Sequence, residues 1–292
     1  MYKTTVKSET QEDGIQIVFT EIDIDFKEEF VAFIDVLGFR EMVLSSNQES
    51  KSKLKNYFNV ISYFKSELKK IAPKSSIKAL AVSDSLILSM PIESGDDELE
   101  KLKHLCIAIG LIQNHLMMND IWIRGAITKG KVAHRPDESF ILGPAYVRAY
   151  ELEQKVAIFP RVILDSELIS FLNLDTSQDL IENINRNTAF DNWNGNILFD
   201  WGKAHSFSAK IKQDTPLFID YFQKLFEVTG AANERRNTNS RLFTAKLIQE
   251  NIKNRIETYE KFRWIADYYI SKYRMQQIFD RDEEAFRLLT RL

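Results

Sequence analysis

The chain contains a single cysteine, Cys106, so no intrachain disulfide can form. With no leader at the N-terminus either, a reducing cytoplasm is the expected setting. Cys106 lies in "HLCIAIGLI", an apolar run of helical character, and is expected in the core rather than as a nucleophile. Long hydrophobic runs are also missing. None approaches the roughly 20 residues that span a bilayer, so the chain is not expected to be membrane-embedded. The opening "MYKTTVKSETQEDG" is polar and lacks the apolar segment of a signal peptide. There is no excess of basic charge: 39 Lys and Arg stand against 42 Asp and Glu, a net charge of -3, which argues against a nucleic-acid partner. No glycine-rich phosphate loop or dinucleotide fingerprint is present. The histidines, His104, His115, His134 and His205, show no metal-ligand spacing.

What is there is ordinary globular material, 44% hydrophobic and 28% charged in 292 residues. That is room for one large domain, or a domain with an extension. Residues 1–14 read as a loose tail, and 15–26 as a strand. Residues 30–36 are a buried strand, followed by helical character over 40–71 with Leu54, Tyr57, Phe58, Ile61, Phe64 and Leu68 at helical spacing and Pro73 as the stop. "SIKALAVSDSLILSM" (76–90) reads as a hairpin with Asp84 at the turn. A helix is expected over 96–118 and a strand over 121–133. A further helix follows over 143–157, with Pro144 at its first position, and then a strand over 159–165. The plan is α+β, with helices on a mostly antiparallel, ferredoxin-like sheet. Beyond 165 come a short helix, an Asn- and Asp-rich turn segment, a short strand "ILFDW", and a mostly helical end from 214. Within that end, "NERRNTNSR" (233–241) reads as a solvated helix start. The expected division is a tail and strand over 1–26, a catalytic unit over 27–170, and a turn-rich and helical extension over 171–292.

One stretch raises a chemical question. "FVAFIDVLGF" (30–39) places a single carboxylate, Asp35, in an apolar strand. An unpaired buried charge is costly. Asp84 at the hairpin is expected at the same sheet edge. Two carboxylates there repel unless a cation lies between them, and hard cations such as magnesium or manganese prefer oxygen ligands.

These residues also carry a resemblance. "AFIDVLGFR", "LAVSDSLILS", "IRGAITKG" and "LGPAYVRAYELE" resemble, in order, four motifs of the class III nucleotide cyclases, over roughly 30–165. The resemblance implies two divalent metals, Mn2+ or Mg2+, held by Asp35, Asp84 and the backbone of Val36. It implies a triphosphate received at Val36, Leu37, Gly38 and Phe39, with Arg40 beside it, and Phe33 in the same motif. The helix start after Gly38 is expected to favour the anion.

Departures from the family pattern bear on the base. The two purine-reading positions are Leu80 and Phe140, neither of which hydrogen-bonds through its side chain. Such a pocket discriminates purines poorly and suits a pyrimidine. The helix positions that would carry the ribose-orienting Asn and the transition-state Arg are Val147 and Glu151. Arg148 and Arg124 are the nearby charges that would serve the phosphates; alternatively, Arg148 pairs with Glu151 along the helix. The pattern is most similar to the pyrimidine cyclases of Pycsar antiphage defence. That likeness implies UTP or CTP as substrate, UTP preferred, and cyclic UMP as product. It also implies a homodimer with composite sites and a separate effector that senses the product. The alternatives are a cytidylate cyclase, a degenerate nucleotide-binding relative, a purine cyclase with a rebuilt pocket, and a structural protein with an acidic sheet edge.

Overall fold

The computed structural model describes residues 6–12, 15–20, 24–71, 76–135, 139–186, 189–190, 193–207, 210, 216–227, 231–254, 256–278 and 282–291. Strands β1 (Val6–Glu12) and β2 (Ile15–Thr20) pair antiparallel as a separate hairpin. The tail expected over 1–14 therefore carries a strand. Its "VKSETQE" has no apolar alternation to announce it, because strand pairing is satisfied by backbone groups alone.

The main sheet is built from β3 (Lys27–Val36), β4 (Lys78–Val82), β5 (Ser85–Pro91), β6 (Ile123–Arg135), β7 (Phe140–Leu142) and β8 (Val162–Leu164). Its order is β4-β5-β3-β6-β7, with β8 alongside β6. All neighbours are antiparallel except the β6–β8 pair. Strands β3 to β6 thus lie in the order second, third, first, fourth, which is the expected ferredoxin-like plan. β3 is central, flanked by β5 and β6 along nearly its whole length.

Residues 39–71 form two helices, α1 (Phe39–Leu44) and α2 (Gln48–Ile71), where one continuous helical stretch was expected. Asn47 restarts the helix by accepting a hydrogen bond from the Ser50 amide at 2.7 Å. Pro73 lies outside the described residues. α3 (Glu98–Met117) is capped by Asp97, and α4 (Pro144–Lys155) opens on Gly143 as expected.

Period-2 alternation divides the two faces of β3. Ala32, Ile34 and Val36 face a large core with Tyr57 and Ile61 of α2 and Leu105 of α3. Val31 and Phe33 face a smaller cluster with Leu80, Ile87, Ala145 and Ala149, beneath α4. Asp35 has the parity of the α4 face.

After β8 come α5 (Glu167–Phe171), α6 (Ser177–Asn185), a two-residue ladder of β9 (Ala189–Phe190) and β10 (Trp193–Asn194), and α7 (Trp201–Ser206). α6 falls where only turns were expected. Thr176 and Asp179 form a capping box, and this local signal outweighs the Asn content. "ILFDW" is not a strand; Leu198 makes one isolated bridge to Ile219, and Asp200 caps α7. A 3-10 turn, Tyr221–Phe226, leads to α8 (Ala231–Asn254), α9 (Tyr259–Gln276) and α10 (Glu283–Thr290).

The large core continues without a break from the sheet into these helices, through residues such as Phe199, Phe218, Ile248 and Tyr268. Cys106 is fully buried within it, as expected. Arg241, the last residue of "NERRNTNSR", is buried rather than solvated. It is paired with Asp282 at 2.5 Å and Glu234 at 2.9 Å. No helix of the described residues is long and apolar enough to cross a membrane.

Candidate active site

Asp35 sits one residue before the end of β3. Its cross-strand neighbours are Arg124 on β6 and Ser85 on β5. Directly opposed residues of an antiparallel pair share a face, so Arg124 meets Asp35. Its Nε lies 3.8 Å from Asp35 Oδ2. It lies closer, 2.6 Å, to Oε1 of Glu153 on α4, whose side chain is fully buried. Gly125, next to Arg124, is required by this close pairing, because a β-carbon there would fall 2.5 Å from the Phe33 carbonyl oxygen.

Asp84 occupies the two-residue turn between β4 and β5, where Val82 pairs with Ser85. Ser83 takes φ 57°, a left-handed conformation that glycine adopts more readily. The turn brings Asp84 within electrostatic range of Asp35. Burial, then the charges of Glu153 and Asp84, push the Asp35 carboxyl up to about 6; Arg124 and the Val36 amide act in the opposite direction. Burial also raises Glu153 above the usual carboxylate range. Tyr57 of α2 approaches the pair from the other face. Its side chain is 1% exposed, its hydroxyl has no hydrogen-bond partner in the described structure, and burial followed by Asp84 and Asp35 raises its proton affinity.

The donors suit a hard divalent cation. Three carboxylates stand near one another, and the high proton affinity of Asp35 marks a surplus of negative charge that such a cation would relieve. Among the described residues, no three His, Cys, Asp or Glu side chains converge on one point. An ion here would therefore be held by Asp35 and Asp84, with the Val36 carbonyl, water or substrate completing its shell. This is the way magnesium is commonly bound.

Beyond Val36 the chain turns at Gly38, exposed and at φ 73°, into α1. Two expectations change here. The Leu37 amide is taken by the Trp122 carbonyl at 2.8 Å, so it does not face a phosphate. α1 has only six residues, so its dipole is weak; the first-turn amides themselves are what the turn offers an anion. Arg40 is exposed beside them, and Phe39 is buried against Tyr57 with ring centroids 5.8 Å apart.

Other expected site residues lie elsewhere. Arg148 holds Asp165 at the end of β8 through two 2.9 Å hydrogen bonds, and Asp165 also accepts one from Thr128. Glu151 pairs instead with Lys155. Leu80 and Phe140 are on β4 and β7, at opposite ends of the strand order. Leu80 is buried, whereas Phe140 is half-buried beneath the Arg135 guanidinium. Phe33 packs against the rings of Tyr146 and Tyr150 on α4.

Glu153 and Tyr57 were not anticipated as part of the site. Glu153 was readable: Ala145, Ala149 and Glu153 recur every four residues, which places a carboxylate on the apolar stripe of α4.

The proton held by Asp35 has a consequence for stability. Its folded value of about 6 exceeds the ordinary 3.8. Between these values the folded state binds more protons, so rising pH removes stability through this window. In the metal-free protein, Asp35→Asn is expected to be about 1–3 kcal/mol more stable than wild type at pH 7.5, and nearly equal to it at pH 4. Urea unfolding with a chelator present measures the difference. Equal stabilities at pH 7.5 would remove the strain assigned to Asp35.

No protein-family model matches the chain, and no curated protein matches it. Solved structures that overlay on it in part include the adenylyl cyclase CyaB from P. aeruginosa. That protein is 19% identical, with a TM-score of 0.39 over 52% of this chain and 83% of that one. The guanylyl cyclase Cya2 is 10% identical, with a TM-score of 0.35 over 52% of this chain and 81% of that one. A class III adenylyl cyclase-like ATP-binding protein from Pseudomonas aeruginosa is 10% identical, with a TM-score of 0.37 over 91% of this chain and 71% of that one. Likenesses this distant carry no functional weight, and function is read below from the site's own residues.

Proposed function

We propose that the chain is a nucleotide cyclase of class III type. It would convert a pyrimidine nucleoside triphosphate, UTP in preference to CTP, into the 3′,5′-cyclic monophosphate and pyrophosphate. The observation that carries this reading is that Asp84 directly precedes Ser85, the cross-strand partner of Asp35, so that both carboxylates stand at one sheet edge beside the Gly38 turn. Two divalent cations held by Asp35, Asp84 and the Val36 carbonyl would supply Lewis acidity toward the ribose 3′-hydroxyl and the polyphosphate.

The chain's own residues position and shield. The Gly38 turn receives the phosphates. Glu153 fixes Arg124, which stands 3.8 Å from Asp35 at the flank of the reacting groups. In the reaction the 3′-oxygen loses its proton and bonds to the α-phosphorus, and the bond from that phosphorus to pyrophosphate breaks.

The base preference is supported by apolar Leu80 and Phe140. Because they lie at opposite sheet edges, a composite site in a homodimer follows from the same reading. Val147 and Tyr150 of α4, and Val82 beside the Asp84 turn, expose apolar surface for such a contact. In this reading 27–170 is the catalytic unit and 171–292 its helical extension, and the product is a cytoplasmic second messenger of antiphage defence sensed by a separate effector.

A second reading, a nucleotide sensor without turnover, is favoured by two observations. Arg124 already stands as a counter-charge beside Asp35, and Arg148 is committed to Asp165.

Incubation with manganese and each of the four ribonucleoside triphosphates separates the readings. A single cyclic pyrimidine product is expected. A cyclic purine would overturn the role given to Leu80 and Phe140. Metal-dependent binding with no product from any nucleotide would favour the sensor.

A further inference from the structure

The helical extension reaches the proposed site. A cavity of about 80 Å3 lies just beyond the end of β3, lined by Leu37, Gly38 and Trp122 from the sheet side and by Thr258, Lys261 and Phe262 from the start of α9. It has room for a few waters or one phosphoryl group. Phe262 fixes this end of α9 by packing edge-on against Trp122, with centroids 5.4 Å apart.

Two lysines, Lys53 and Lys261, line the cavity together with Asp120. Lys53 is committed to Asp120 at 2.6 Å and Glu49 at 2.9 Å. Lys261 forms no salt bridge among the described residues. Arg124 and Asp35 are nevertheless both close enough to act on its charge, and burial, the larger influence, weakens its hold on its proton. A half-buried ammonium beside the Gly38 turn and within range of Asp35 is placed for an anion that arrives with its own cations.

We propose that Lys261 binds the terminal phosphate of the substrate over the Gly38 turn, so that the C-terminal extension supplies, within the same chain, the phosphate-binding cation that α4 does not provide. This rests on the cyclase reading for the identity of the substrate, but the site itself is defined by an inorganic anion. The extension thereby becomes part of the binding site, and 27–170 alone would lack one wall of it.

The test is calorimetric binding of inorganic tripolyphosphate with manganese to the full chain. Lys261→Met is expected to weaken binding roughly tenfold to a hundredfold, the range for one charge-assisted contact. Lys261→Arg should stay within about threefold of wild type. With an active enzyme, the same loss should fall on KM for the triphosphate and leave kcat little changed. As a check that needs no variant, tripolyphosphate should protect Lys261 of the wild-type protein from acetic anhydride, read by mass spectrometry. Affinity of Lys261→Met within about twofold of wild type, or unchanged acetylation, overturns the proposal. Lys261-dependent tripolyphosphate binding in a wild-type protein that cyclises no nucleotide would uphold the phosphate site and sink the cyclase reading instead.

Discussion

Replacing Asp35 or Asp84 with Asn is expected to lower cyclic product by at least about a thousandfold, with the protein still folded. Asn keeps the shape of the side chain and removes its charge. At Asp35 that charge is held against burial and two neighbouring carboxylates. Arg124 and the Val36 amide offset only part of that cost, so the metal-free variant should gain stability as activity is lost. Such opposition between stability and function is expected where a site stores electrostatic strain. The double variant should be little worse than either single one, because in the proposed mechanism the two carboxylates would act as a unit. Product within tenfold of wild type from Asp35→Asn would remove the metal role from this residue, and with it the proposed mechanism. A loss confined to Asp35→Asn, with Asp84→Asn fully active, would move the second ligand elsewhere, and Glu153, the other carboxylate that acts on Asp35, is the candidate.

The sheet was legible because its signals are local and strong. A charge in an apolar strand, Ser-Asp between two apolar runs, and Gly-Pro at a helix start each announce themselves within a few residues. β3, the β4–β5 hairpin, α3, β6 and α4 accordingly appear where expected, whereas the three-residue β7 was not foreseen and 39–71 divides into two helices. α6 was hidden because Asn-rich composition suggests turns, while the capping box at Thr176 and Asp179 commits the backbone to a helix. β1 was hidden because its strand pairing depends on no side-chain pattern.

At the site, Asp35, Asp84 and Arg124 were named from sequence and Glu153 was readable on its stripe, whereas how they meet was not. Arg124 faces Asp35 only because β6 pairs with β3 in one register, and a slip of one residue would turn it to the other face. Arg148 was assigned to the phosphates on its place in α4. Its rotation about the helix directs it instead to Asp165, seventeen residues along the chain. Lys261 is 226 positions from Asp35, and no local pattern relates them. Long-range juxtaposition of this kind is set by how helices dock, which hydrophobic periodicity does not encode.

That docking can be tested directly. Lys272→Met is expected to destabilise the protein by about 3–5 kcal/mol at pH 7, measured by urea unfolding. Lys272, on α9, and Asp220, before the 3-10 turn, are both fully buried and lie 2.5 Å apart. Asp220 also accepts a hydrogen bond from the Tyr268 hydroxyl, and Lys272 donates one to Gln223. Burial loosens the proton on Lys272, and Asp220 opposes that effect. Removing the lysine leaves a carboxylate in the core with one hydroxyl for company, and the penalty is the desolvation of that charge rather than the worth of the pair. Removing both charges, as in Lys272→Met with Asp220→Leu, should therefore recover much of the loss. A loss below about 1 kcal/mol for Lys272→Met would mean that water reaches Asp220 and that the pair is not sealed. The pair lies on the helix that also carries Phe262 and Lys261. Loosening it should thus enlarge or open the cavity at Gly38. In a folded Lys272→Met variant, tripolyphosphate affinity is expected to fall alongside stability, although Lys272 itself lies buried with Asp220 and Gln223. Full affinity in that variant would show that the first turn of α9 is held by its own packing on Trp122, independently of the buried charges further along the helix.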